Sequence, residues 1–251
     1  MSEPRFFAPD ATATGSIVAL PEDEATHLTR VLRLKARDAV RVFNGRGEQW
    51  RAEVVEATRQ RVTTRLADTV EAAPEIRTRI TLAIAVLKGD KMDDVVRDAV
   101  MLGVARIQPV IAERTEVTAV AIARGDRVAR WQRIAIASAK QCGRAVVPDV
   151  CAPVMLPSVF ATDAAQLMLV EPNAGGHPGA GAGTHARGLR DVPVTSAVTL
   201  VVGPEGGWSA VEVQAAAASG VMLVTLGGQT LRADAAPMVA VSALRALWND
   251  L

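Results

Sequence analysis

Tyrosine is missing altogether, and aromatic side chains make up only 3% of the 251 residues. A surface that holds single-stranded nucleic acid by stacking bases on rings uses more than that, so the composition argues against such a surface. Cysteine occurs only at Cys142 and Cys151, with neither zinc-ligand spacing nor a disulfide framework. Both thiols are expected to be reduced and buried, in a cytoplasmic protein. Charge of one sign is lacking too, since 28 Lys+Arg face 27 Asp+Glu. A basic body is therefore excluded, and any grip on nucleic acid must come from local patches. No uninterrupted apolar run approaches the length of a membrane span. The opening Met1-Ser-Glu-Pro-Arg5 has no apolar stretch of the signal-peptide kind. Neither a metal nor a membrane is expected as a partner.

What is present is apolar: 49% of residues, enough for one large core or two modest ones. The pattern changes near residue 74, so domains are expected over 1–73 and 74–251. Before the change, apolar residues alternate. Ser16–Leu20, Ala39–Phe43, Gln49–Val55 and Arg61–Leu66 read as strands, with a hairpin turn at Asn44-Gly45. Pro21–Leu34 reads as a short helix with acidic residues in its first turn. Short strands at this spacing predict a small barrel. Asp68–Glu75 reads as a linker. After the change, apolar strands alternate with helices. Strands are expected at Ile80–Leu87, Ala105–Ile111, Leu167–Val170, Val198–Val202 and Met222–Leu226. Helices are expected at Met92–Leu102, Asp126–Lys140 and Ala235–Trp248. That alternation predicts an α/β fold with a parallel sheet covered on both faces.

Two strands end in glycine-rich turns. Val198–Val202 runs into Gly203-Pro-Glu-Gly-Gly207, and Val221–Leu226 into Gly227-Gly228-Gln-Thr-Leu231-Arg232-Ala-Asp234. Such turns at the carboxyl edge of a parallel sheet make a ligand crevice, because a backbone without side chains lets a ligand approach closely. Neither a Walker nor a Rossmann fingerprint is present, and Glu205 and Asp234 would repel phosphates. A ligand with a cationic centre and an adenosine suits the crevice better. The Gly/Ala-rich stretch from Asn173 to Arg187 lacks nucleotide-loop spacing and reads as a flexible surface loop.

Gly203-Pro-Glu-Gly-Gly207 followed by Leu226-Gly-Gly-Gln-Thr-Leu-Arg232-Ala-Asp-Ala-Ala236 resembles the signature of SPOUT-class RNA methyltransferases. Further fragments in matching order are His27-Leu-Thr-Arg30-Val-Leu-Arg33, Lys88-Gly-Asp-Lys91-Met, Pro109 to Arg114, Trp131 and Gln141-Cys-Gly-Arg144. Together they are most similar to the bacterial family that makes N3-methyluridine in small-subunit (16S) ribosomal RNA. The resemblance implies an N-terminal PUA-like or OB-like RNA-binding β-barrel and a C-terminal SPOUT domain with a deep trefoil knot. It also implies a homodimer through that domain, and ribosomal RNA or the small subunit as partner. S-adenosyl-L-methionine would be the cofactor. Its adenosine would lie among Gly203, Pro204, Glu205, Gly206, Leu226, Gly227 and Leu231, with Leu169, Val170, Glu171 and Pro172 as a third wall. The sequence departs from the family pattern at Gly228, Asp234, Ala235 and Met101, and at Lys140, which stands where an acidic residue is common.

The chemistry assigns further roles. Methylating uridine N3 removes its proton and puts negative charge on the uracil imide, which a fixed guanidinium stabilises. Arg232 is the catalytic candidate, the alternative being a salt bridge near a helix start. Asp234 is either the base or a helix cap. Glu205 either braces the knot or faces the cofactor's positive charge. RNA contacts are expected from Arg30, Arg33, Lys88, Lys91, Arg114 and Arg144. A basic run over 124–144 (Arg124, Arg127, Arg130, Arg133, Lys140, Arg144) can grip phosphates or form a solvated helix face. Two other readings are a SPOUT enzyme acting on another RNA or atom, such as a transfer-RNA ribose hydroxyl, and a noncatalytic RNA-binding assembly factor.

Overall fold

The computed structural model describes residues 3–58, 61–117, 126–161, 164–172 and 186–251. The Gly/Ala-rich stretch up to residue 185 and Arg124 lie outside the described residues. The chain forms two compact units.

One unit comprises Met1–Glu75 and Ile136–Val147. Its strands are β1 (Arg5–Phe7), β2 (Ile17–Ala19), β3 (Ala39–Phe43), β4 (Gln49–Ala57) and β5 (Val62–Thr69). They form a curled half-barrel in the order β1-β3-β4-β5-β2. The period-two pattern explains the core: Val40 and Val42, then Trp50, Ala52 and Val54, point to one face and meet Phe6, Leu28 and Leu66. At the hairpin, Gly45 has φ +78°, and a Cβ there would stand 2.7 Å from the Phe7 ring. Only glycine fits that turn. Strand β5 runs past its expected end, because Thr69 pairs with Trp50. Asp68 and Thr69, expected in a linker, are therefore strand residues.

The early helix is also different from expectation. Glu22–Thr26 is α-helical and His27–Val31 is a π-helix. Arg33 has φ +56° and lies beyond the helix end at Leu32, so Arg30 and Arg33 do not share one helix face. Inside this unit, Glu24 is buried and accepts from Lys140 Nζ at 2.8 and 3.0 Å, while the same ammonium is 3.1 Å from His27 Nδ1.

The second unit comprises Ile76–Ala135 and Pro148–Leu251. Its strands are β6 (Arg79–Ala85), β7 (Arg106–Ile111), β8 (Asp149–Val150), β9 (Val154–Met155), β10 (Ala165–Leu169), β11 (Arg187–Gly188), β12 (Ala197–Val202) and β13 (Met222–Thr225). All pairings are parallel, in the order β11-β13-β10-β12-β6-β7-β8, with β9 also on β7. Strands covered on both faces read as continuous apolar runs, and β6 is buried at Ile80 and from Leu82 through Ala85. The helices are Lys91–Met101, Leu156–Val159, Ala210–Ala218 and Ala236–Leu247, together with residues 127–135 of the helix Arg127–Cys142, whose remainder belongs to the first unit. Trp131 is a core residue at 2% exposure. No helix among the described residues is long and apolar enough to cross a membrane. Cys142 and Cys151 are both free. They are half-buried rather than buried, and Cys151, just after the edge strand β8, faces the Arg106 guanidinium.

The helix Lys91–Met101 stops at Gly103, whose φ is +87°. A Cβ there would stand 2.9 Å from Ile76 Cγ2. Gly103→Ala is therefore expected to lower stability by about 1–3 kcal/mol. Urea unfolding checks this; an unchanged midpoint would mean that the turn relaxes.

Candidate functional site

Strand β10 lies between β12 and β13. The chain leaves β12, forms the helix Ala210–Ala218, and returns as β13 on the far side of β10. The carboxyl ends of three adjacent parallel strands thus open on the same edge at a reversal of strand order, where ligand crevices form. A cleft of about 340 Å³ opens there, within the range of small-molecule sites. Leu169 to Pro172 wall it from β10, Val202 to Glu205 with Gly207 and Trp208 from β12, and Thr225, Leu226 and Gln229 to Asp234 from β13.

The glycines act by close approach. A Cβ on Gly203 would stand 3.0 Å from the Trp208 indole, and one on Gly207 3.2 Å from Glu171 Oε1. Trp208 Nε1 donates to the Leu169 carbonyl at 2.8 Å, tying the β12 turn to the end of β10. Trp208 is a site residue that sequence reasoning missed; the signal was an indole directly after the glycine turn, in a chain with only 4 tryptophans. Ser209 then starts the helix with a capping box, its hydroxyl accepting from Glu212 N–H and Glu212 accepting from Ser209 N–H. Gly206 and Gly227 do not line the cleft but shape its loops. The Gly206 carbonyl accepts from Arg114 at 2.9 Å, and the Gly227 carbonyl accepts from the Thr225 hydroxyl at 3.0 Å.

Two ion pairs stand in the cleft. Lys91 Nζ lies 2.9 Å from Glu205 Oε1, and Arg232 forks onto Asp234 at 2.8 and 3.0 Å. The cap position of the helix Ala236–Leu247 is Ala235, with no side-chain cap, so Asp234 faces Arg232 instead of capping. Burial alone would raise the Asp234 pKa. The Arg232 hydrogen bond and charge, the aspartate's own N–H and the Lys91 charge outweigh burial and hold it below its ordinary 3.8. Glu205 behaves alike: burial pushes it up. Hydrogen bonds from Lys91 and from the N–H groups of Glu205 and Lys88, with the Lys91 charge, pull it below 4.5.

The structure gathers Lys88, Lys91 and Arg114 around the Gly203–Gly207 turn, with Lys88 also paired to Glu116. Arg30 and Arg33 are exposed in the first unit. Arg144 is different. Its side chain is 7% exposed and forked onto Glu75 within the first unit, so burial keeps its charge away from a phosphate. The basic run is largely paired: Arg130 and Arg133 keep 55% and 61% side-chain exposure, as a solvated helix face does, while Lys140 keeps 18%. Arg130 meets Asp93 and Asp90, Arg133 meets Asp126, and Lys140 meets Glu24. Most of those carboxylates come from distant sequence, which a window of charges cannot reveal. Among the described residues no cluster of three His, Cys, Asp or Glu side chains could hold a metal.

A family model described as "RNA methyltransferase domain" matches residues 74–245, and one described as "RNA methyltransferase PUA domain" matches 20–67. A Synechocystis protein named "Ribosomal RNA small subunit methyltransferase E" is 33% identical over 93% of this chain and 74% of its own length. A crystal structure of a protein of that name from Neisseria gonorrhoeae, bound to S-adenosyl methionine, superposes with a TM-score of 0.85 at 32% identity, covering 98% of both chains. A Legionella pneumophila putative methyltransferase, in complex with the same cofactor, superposes at 0.86 with 29% identity over 98% of both chains. The chain belongs to the RNA methyltransferase family, with the PUA domain that accompanies it.

A depressed carboxyl pKa has a definite sign in stability. The unfolded chain binds the proton more readily, so Glu205 contributes stability above its ordinary 4.5 that is lost as pH falls through the lower folded value. The stability difference between wild type and Glu205→Gln is therefore expected to be constant near neutral pH and to shrink below 4.5. Urea unfolding at a series of pH values measures it; a difference independent of pH would refute the pairing.

Proposed function

We propose that the protein is an S-adenosylmethionine-dependent methyltransferase of small-subunit (16S) ribosomal RNA that acts on uridine N3. The observation that carries this reading is the meeting of three strand ends and two glycine turns with the Arg232–Asp234 pair in one cleft. The names of its relatives and the cofactor in the crystal structures of its neighbours support it.

The residues fit the cofactor. Glycine turns let main-chain N–H and C=O groups reach an adenosine, and the cleft edge holds carboxylates for a cation. When bound, the cofactor supplies an electrophilic methyl group on a positively charged sulfur. Gly203, Pro204, Leu226 and Leu231 hold it through main chain and apolar contact, and Leu169 to Pro172 close the third wall. Trp208 ties the β12 turn to that third wall. Arg232, 74% exposed along its side chain, reaches outward to the negative charge that develops on the uracil oxygens. Asp234 orients that guanidinium. Its depressed pKa makes it a weak base, so the N3 proton passes to water. The remaining contribution is placement of the base in line with the methyl group.

Arg30, Arg33, Lys88, Lys91 and Arg114 supply phosphate contacts in this reading, and Arg144 supplies none. The division into 1–73 and 74–251, the deep trefoil knot, a homodimer through the second domain and a cytoplasmic location belong to the same proposal.

Ribosomal RNA from a strain lacking the gene is the substrate for the test. Wild-type protein is expected to restore one N3-methyluridine in 16S RNA, read by mass spectrometry. Methylation of another atom or RNA would overturn the specificity, and failure to bind the cofactor would favour a noncatalytic assembly factor. Arg232→Ala is expected to abolish transfer while cofactor affinity stays within about tenfold, roughly 1.4 kcal/mol. Equal loss of both would make Arg232 a pocket-shaping residue. Arg30→Ala with Arg33→Ala should weaken RNA binding and flatten its salt dependence, since each lost phosphate contact lowers the slope by about one. An unchanged slope would remove both from the RNA surface.

A further inference from the structure

Five charged side chains line the cleft: Lys91 and Arg232 against Glu171, Glu205 and Asp234. Two of the carboxylates are matched, Glu205 by Lys91 at 2.9 Å and Asp234 by Arg232 at 2.8 Å. Glu171 has no ion-pair partner among the described residues. Among the described residues the lining therefore carries one more carboxylate than cations.

That imbalance matches the chemistry of the proposed cofactor, and the inference rests on that reading. The methyl donor carries a sulfonium, an ammonium and a carboxylate, hence one net positive charge. Transfer joins the methyl carbon to the acceptor atom, whose proton leaves to water, and the sulfur–carbon bonding pair stays on sulfur. The product is a neutral thioether with no net charge. A cleft with one unmatched carboxylate complements the donor and not the product. Glu171, exposed at the cleft two residues beyond β10, holds Oε1 3.2 Å from the point a Cβ on Gly207 would occupy. Glycine at 207 leaves the carboxylate its place beside the β12 turn.

We infer that Glu171 is a specificity-determining residue, which makes the cleft prefer the charged sulfonium donor over its neutral thioether product. Two other roles compete: accepting from ribose hydroxyls, or pairing with the ammonium. Donor and product share both of those groups and differ only at sulfur, so their affinity ratio separates the roles.

The experiment is calorimetric titration of the full chain with S-adenosylmethionine and, separately, with S-adenosylhomocysteine. Wild type, Glu171→Gln and Glu171→Asp are compared, with thermal unfolding as a check that the variants fold. Glu171→Gln is expected to lower the ratio of donor affinity to product affinity by about tenfold, mainly through weaker donor binding. Glu171→Asp, which keeps the charge, should retain most of the preference. Equal weakening of both ligands in Glu171→Gln would assign the residue to ribose or ammonium and overturn the inference, as would no change in either. A wild-type protein that binds neither ligand would overturn the functional reading itself, whereas binding of both with an unaltered ratio in Glu171→Gln overturns this inference alone.

Discussion

The site depends on one arrangement: β10 is hydrogen-bonded along both edges, to β12 on one side and β13 on the other. Because both pairings are parallel, all three strands end on the same edge of the sheet. Three chain reversals must then share one small region, and two of them are made of glycine. Trp208 ties two of them together, with its N–H on the Leu169 carbonyl and its ring against Gly203. A Cβ at 203 would stand 3.0 Å from the indole, so the ring or the turn would have to shift by a few tenths of an ångström. The cleft is thus a consequence of strand order, trimmed by a few close contacts.

Electrostatics is organised locally. Lys91, Arg130, Lys140, Arg144 and Arg232 each face a carboxylate within the same unit. Near-neutral net charge is therefore reproduced at short range, and a cation's reach is set by its burial more than by its count. Arg144 and Arg232 show the difference. Both are forked onto carboxylates, but one is 7% exposed and the other 74%. The buried pair holds structure; the open pair contributes little to stability and leaves its guanidinium facing solvent.

Much of the fold was legible because it follows from local rules. The apolar runs of the parallel sheet fall within one or two residues of their expected ends, since strands buried on both faces leave a continuous signal. The hairpin at Asn44-Gly45 and the helix stop at Gly103 were readable for the same reason: positive φ demands glycine there. Misreadings arose where distant residues decide. Thr69 extends β5 because it faces Trp50, and Arg144 is buried because Glu75 lies beside it. Trp208 was overlooked because its role exists only once Leu169 is next to it.

Composition and periodicity alone determined that the chain has a β-rich first part, a parallel α/β second part and glycine turns at two strand ends. Those are properties of short windows, in which backbone preference and burial pattern are already complete. Tertiary structure alone decided which strand lies between the two turns and which cations are neutralised. Those are relations between residues far apart in the chain, and hydrogen bonding and Coulomb interaction act over a few ångströms of space, whatever the separation in sequence.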